Sequence, residues 1–143
     1  MIKSILLIVL LAIGFQSFGQ EKVEWDVNYS KENSQIEIIA TIAEGWHLYS
    51  QYIDNEIGPI PTSFTYEVSD SYTLVGETVE PESIKEYDPN FEGDLNFFKD
   101  RVVFIQEVKA NKETEVSGVV TFMICNDTMC MPPEDLEFKI TIN

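Results

Sequence analysis

Apolar and polar residues alternate along most of this chain. Within SQIEIIATIAE, Ile36, Ile38, Ala40 and Ile42 alternate with polar or exposed positions. Within LEFKITIN, Leu136, Phe138, Ile140 and Ile142 alternate with Glu137, Lys139 and Thr141. A period of two over such a length predicts a half-buried strand. KVEWDVNYS, SFTYEVS, YTLVGE, DRVVFIQEVKA and TEVSGVVTFMI read as further strands. Turn-forming clusters separate them: EGWH, DNEIGPIPTS, SDS, DPNFEGD and ANKE. No segment carries an amphipathic helix of three turns, and no internal repeat is present. Seven or more strands joined by short turns predict an all-β fold, an antiparallel β-sandwich. Trp25, Trp46 and the many Phe and Tyr residues then read as core and edge packing.

One connection breaks the rhythm. EYDPNFEGDLNFFKD, residues 86–100, is long and acidic and carries three Phe residues. Loops of that length are often functional. On composition alone it reads more simply, with Phe97 and Phe98 opening the next strand and Phe91 a packed loop residue.

The amino terminus differs from the rest. MIKSILLIVLLAIGFQSFGQ has a basic Lys3, an apolar run from Ile5 to Phe15, and small residues at Ser17 and Gly19. The run is shorter than the roughly 20 residues a spanning helix needs. Residues 1–19 are expected to be a secretory signal cleaved before Gln20, leaving one domain over residues 20–143. An uncleaved anchor is the other reading. No later segment is apolar enough to span a membrane, so no insertion is expected after cleavage.

Charge narrows the partners. The 143-residue chain carries a formal net charge of -16. Loss of residues 1–19 removes Lys3 and no acid, which leaves -17. That balance argues against nucleic acid and anionic membranes as partners. It suits a partner with a neutral or basic contact surface, or simply a solvated face.

The chemistry-bearing residues lie near the end, in TFMICNDTMCMPPEDLEFKITIN. Cys125 and Cys130 are the only cysteines, and an exported chain meets oxidising conditions. The segment between them falls on the connection of a terminal hairpin. Asn126-Asp127 favours a turn, and Pro132 and Pro133 cannot donate to a ladder. This places the cysteines in a loop held off the sheet, near the surface. A bridge here closes a ring of roughly six residues, which the chain-entropy model values at only about 2 kcal/mol. A structural staple and a redox couple both stay open, with the weak stabilising motive favouring the second. No metal site is expected, because His47 and two cysteines give three ligands at most without a CxxC pair. His47 beside Trp46 and Tyr49 reads as a packed side chain rather than a protease base.

Three stretches resemble the amino-terminal periplasmic domain of the thiol:disulfide interchange protein DsbD. They are VTFMICNDTMCMPPE, AEGWHLYS and NFEGDLNFFKDRVVF. The resemblance implies an immunoglobulin-like sandwich and a redox-active pair, Cys125 and Cys130, needing no cofactor. It implies thiol-disulfide exchange in the periplasm with thioredoxin-like or disulfide isomerase proteins, as in cytochrome c biogenesis. Cys130 would form the mixed disulfide and Cys125 would resolve it. Phe91 would be the cap over the bridge. His47 and Tyr49 fall where the family has aromatic residues beside the site. The pattern departs in two places. Known members have one more residue between the cysteines. Their acidic pair before the cap Phe is replaced by Pro89-Asn90, with Asp88 one step earlier. The chain also lacks the family's membrane and thioredoxin-like domains, so a separate membrane electron donor is expected. The rival expectation is a secreted binding or scaffold module with an inert bridge.

Overall fold

The computed structural model describes residues 21–54 and 56–143. The signal segment expected at residues 1–19 lies outside them. Eleven strands and no helix occur among the described residues. They are β1 (Val23–Ser30), β2 (Gln35–Ile42), β3 (His47–Tyr49), β4 (Ser63–Tyr66), β5 (Tyr72–Val79), β6 (Ile84–Asp88), β7 (Gly93–Phe98), β8 (Arg101–Ala110), β9 (Thr114–Phe122), β10 (Ile124–Cys125) and β11 (Glu134–Ile142). All pairings are antiparallel.

Two sheets supply the sandwich. One has the order β1-β2-β8-β5 and the other β11-β9-β4. The period-two pattern explains their facing. Ile36, Ile38, Ala40 and Ile42 of β2 are buried, as are Val102, Phe104 and Val108 of β8. They form one core with Val116, Val120 and Phe122 of β9 and Phe138 and Ile142 of β11. Trp25 lies against this core, with ring centroids 5.1 Å from Phe122 and 6.3 Å from Phe104. The all-β, immunoglobulin-like sandwich expected from the sequence is the fold observed.

Gln106 is the polar exception on the inward face of β8. β5 shifts register against β8 between Val75 and Val79, which interrupts its ladder. Gln106 Nε2 donates to the Gly76 and Glu107 carbonyls at 3.2 and 2.9 Å, and its Oε1 accepts from Thr78 at 2.9 Å. The buried amide thus has partners on both ends, as burial requires.

A third sheet, β10-β3-β7-β6, is made of strand continuations. β3 follows β2 after the turn at Gly45, β7 runs into β8, and β10 continues β9. Chain leaving both large sheets therefore meets at one end of the sandwich. This corrects two sequence readings. The stretch at residues 86–100 is the β6–β7 hairpin, closed by a short turn at Pro89–Glu92, rather than a long loop. EGWH is a turn only as far as Trp46, since His47 opens β3.

Candidate functional site

The third sheet places the chemistry. Its two faces separate cleanly: Leu48, Phe98 and Ile124 join the sandwich core, while Tyr49, Leu95, Phe97 and Cys125 form a second buried cluster. Ile53, Phe91, Met123 and Cys130 pack against that second cluster. Cys125 pairs with His47 across β10 and β3, and with Cys130 in an isolated bridge on its other side. Directly opposed residues of antiparallel strands share a face. Cys130, Cys125 and His47 therefore stand in one row.

Cys125 and Cys130 form a disulfide, S–S 2.03 Å, with Cα atoms 4.0 Å apart. The two sulfurs differ in access. Cys125 is 0 % exposed, whereas Cys130 is half-buried. The expectation that both cysteines lie near the surface is thus corrected. β10 carries Cys125 back into the fold, and only Cys130 sits on the rim. Pro132 and Pro133 are exposed and outside the ladder.

Asn126 holds the ring together. Its Oδ1 accepts from the Thr128 and Met129 amides at 2.9 and 2.8 Å and from the Thr128 hydroxyl at 3.0 Å. Its amide donates to the Met129 carbonyl at 2.9 Å. The NDT triplet, which fits a glycosylation sequon, is here an Asx turn inside the disulfide ring.

Beside the bridge lies a buried polar group of three. Tyr49 hydroxyl donates to Asp88 Oδ2 at 2.5 Å, and His47 Nε2 lies 3.1 Å from the same oxygen and 3.0 Å from the Tyr49 oxygen. All three side chains are buried. Burial, the hydrogen bond to Asp88 and the Asp88 charge all push the Tyr49 phenol far above its ordinary value. Because Tyr49 uses its proton on Asp88, both oxygens near Nε2 are acceptors. His47 must then carry its proton on Nε2.

Asp88 also shapes the turn that follows it. Its Oδ1 accepts from the Asn90 amide at 2.9 Å, and its carbonyl accepts from the Phe91 amide at 3.3 Å. Asn90 Nδ2 in turn donates to the Asn126 carbonyl at 2.7 Å, tying the β6–β7 turn to the disulfide ring. Phe91 lies edge-on to Tyr49, centroids 6.0 Å apart. Glu92 holds a positive φ of 53°, so the left-handed position falls on Glu92 and not on Gly93. Gly93 is needed for space: a Cβ there would lie 2.9 Å from Ile57 Cγ2.

The structure therefore brings Cys125, Cys130, Phe91, His47, Tyr49 and Asp88 together, with Pro132 and Pro133 at the margin. Sequence reasoning missed Asn90 and Asn126 as the tie between turn and ring. Their bond spans 36 positions, and no local pattern shows it. No group of His, Cys, Asp and Glu among the described residues is arranged to hold a metal.

The family described as Thiol:disulfide interchange protein DsbD, N-terminal, matches residues 16–142. The chain belongs to this family. As a DsbD N-terminal domain it is similar in fold to the reduced Neisseria meningitidis DsbD amino-terminal domain, with TM-score 0.63 and 18 % identity over 85 % of this chain and 86 % of that one. It is similar also to the complex between the DsbD N-terminal and PilB N-terminal domains of Neisseria meningitidis, with TM-score 0.62, 16 % identity, and coverage of 85 % and 87 %. A third likeness is to the N-terminal periplasmic domain of ScsB from Proteus mirabilis. There the TM-score is 0.56 and the identity 15 %, over 82 % of this chain and 44 % of that one. No curated protein sequence matches the chain. Among the described residues no helix is long and apolar enough to cross a membrane.

Proposed function

We propose that this DsbD N-terminal domain exchanges dithiol for disulfide with protein partners through Cys125 and Cys130. The observation that carries the proposal is the asymmetry of the bridge. One cysteine is sealed among Tyr49, Leu95 and Phe97, and the other sits half-buried on the rim, with Phe91 packed against the same cluster. Exchange starts at an accessible sulfur and needs a second thiol held in place to resolve the mixed disulfide. In the reducing direction, the Cys130 thiolate attacks one sulfur of a partner's disulfide, and the partner's other sulfur leaves as a thiolate. Cys125 then gives up its proton and attacks Cys130 Sγ, which expels the partner's remaining sulfur as a thiolate. The partner gains two electrons, and the Cys125–Cys130 bond re-forms. No cofactor enters.

Docking is favoured by the rim. Met129, next to Cys130, is 49 % exposed. Exposed Met side chains are common interface anchors. The surrounding acidic surface suits a partner with a basic or neutral face. Thioredoxin-like and disulfide isomerase proteins are the proposed partner class, with a membrane protein as electron donor. A cleaved secretory signal at residues 1–19 and a periplasmic location complete the proposal.

The decisive experiment is trapping. Cys125→Ala, expressed in the exporting cell, should accumulate mixed disulfides through Cys130 that disappear on reduction. The Cys130→Ala variant should accumulate none. A bridge potential below about -300 mV, the range of inert structural disulfides, would point instead to a scaffold module.

A further inference from the structure

We infer that His47 is the base that takes the proton of Cys125 when Cys125 attacks Cys130 in the resolving step, and that Asp88 positions it. This rests on the exchange function proposed above.

The need for a base comes from burial. Cys125 is wholly enclosed, next to Tyr49, Leu95 and Phe97. An apolar enclosure disfavours a thiolate. The enclosure thus favours Cys125 as a thiol and keeps it from bulk solvent, so a neighbouring group is needed to take the proton. Directly opposite it across the β10–β3 ladder is His47. Opposed side chains on one face have Cβ atoms roughly 4.5–5.5 Å apart, so the imidazole and the Cys125 side chain occupy neighbouring positions on that face.

The tautomer fits the task. With the Nε2 proton pointed at Asp88 Oδ2 and the Tyr49 oxygen, the lone pair is on Nδ1. The imidazolium formed by proton uptake would be met by the Asp88 carboxylate at 3.1 Å. Asp88 does not touch the cysteines on this account. It fixes the ring's orientation and offsets the charge, as a carboxylate behind a catalytic histidine does. The other groups facing His47 are few. Tyr49 comes from its own strand, Phe97 from β7 at 4.7 Å between centroids, and Cys125 stands opposite in β10. Lys99 stacks over the outer side of Phe97 at 5.4 Å and pairs with Glu86 at 3.7 Å. Among the described residues, Asp88 is the charged side chain paired with the imidazole.

In the step, the Cys125 S–H bond breaks and its proton passes to His47 Nδ1. The sulfur's electron pair forms the bond to Cys130 Sγ, and the bond from Cys130 to the partner breaks, leaving the partner's thiolate. His47 then returns the proton to solvent or to that thiolate.

The test uses the reduced domain and dithiobis(nitrobenzoate), a chromogenic aromatic disulfide. Two thiolates should be released. The first phase reports attack by Cys130 and scales with probe concentration. The second is independent of it and reports resolution by Cys125, and Cys125→Ala should abolish it. In the wild type the second phase should rise with pH at values below the range where thiols titrate. His47→Gln keeps a donor toward Asp88 but removes the base. Its second phase should be about a hundredfold or more slower near neutral pH, starting at the low end for a lost general base. The rise should move to the range where thiols titrate, with rates converging in alkali. Asp88→Asn should slow the same phase with the same pH signature, because an amide there can force the other tautomer. A wild-type second phase that follows only thiol titration would overturn the role of His47 while leaving exchange intact. A uniform slowing of His47→Gln at every pH would do the same, since it marks a packing defect. Absence of any second phase in the wild type would overturn both proposals. The wild-type profile decides the matter even if a variant fails to fold.

Discussion

At the scale of single residues, the site combines features of very different legibility. Cys125, Cys130 and Phe91 are conspicuous in the sequence because each breaks its surroundings: two thiols in a polar turn, and an aromatic in an acidic one. Asp88 and His47 are not, because their meaning is a contact between positions 41 apart. Phe91 can be probed directly. Its ring packs on Tyr49 and on the cluster holding both cysteines, yet it is half-buried and borne on a turn. On the proposed cap role, the ring would limit access to sulfur without changing the energy of either redox state, and Phe91→Ala should then alter rate more than equilibrium. Reduction of the bridge by dithiothreitol should speed up severalfold, with the potential against glutathione nearly unchanged. Stability should fall by about 1–2 kcal/mol, the order of one edge-on aromatic contact plus modest burial. Unchanged reduction kinetics with a loss of several kcal/mol would instead make Phe91 a core residue.

At the scale of elements, length decided what could be read. β2, β8, β9 and β11 run for eight to ten residues, long enough for period two to show. β3 and β10 have three and two residues, too few for any period. β6 reads exposed at every position but Asp88, so it shows no alternation and looks like loop. These three strands join β7 to build the sheet that carries the site, and the site was therefore less legible than the fold. The tie between the β6–β7 turn and the disulfide ring belongs to this scale. Asn90 Nδ2 donates to the Asn126 carbonyl, a side-chain hydrogen bond that joins turn and ring. Asn90→Asp removes the donor and sets a second carboxylate beside Asp88. The turn should loosen, seen as faster amide exchange at residues 90–93 and faster reduction of the bridge. Asn90→Ala should act in the same direction but less. If neither variant changes exchange or reduction, the Asp88 hydrogen bonds and the packing of Phe91 hold the turn without this tie.

At the scale of the whole molecule, the sandwich is stable through its core, and two titration-like experiments show it. The first uses alkali. Burial pushes the Tyr66 phenol up to about 12 against a hydrogen bond with Thr78 that lowers it, and Tyr49 and Tyr72 are raised too. The folded state therefore holds phenolic protons that the unfolded chain releases from about pH 10 upward. Their contribution is complete below pH 10 and is lost as pH climbs toward 12 and beyond. The midpoint of urea unfolding should be insensitive to these groups at pH 8–9 and fall steeply above pH 10. A midpoint that stays flat to pH 12 would mean that the phenols are ionised without cost.

The second experiment uses reduction, and it separates a working disulfide from a staple. Cys125 and Cys130 are five positions apart, so the bridge removes little freedom from the unfolded chain. Its entropic contribution is about 2 kcal/mol or less. Other contacts hold the same residues: Asn126 closes the ring by its own side chain, Met131 donates its amide to the Ile124 carbonyl at 2.9 Å, and β9 and β11 pair in register from Glu134 onward. The main core draws on both large sheets and contains neither cysteine. Reduction should accordingly leave the far-ultraviolet circular dichroism unchanged and lower the urea midpoint only by the amount that 2 kcal/mol allows. Changes in amide exchange should be confined to residues 123–133 and the facing turn at 88–93. A chain that unfolds under mild dithiothreitol would contradict this, because a carrier that cycles between two redox states must stay folded in both.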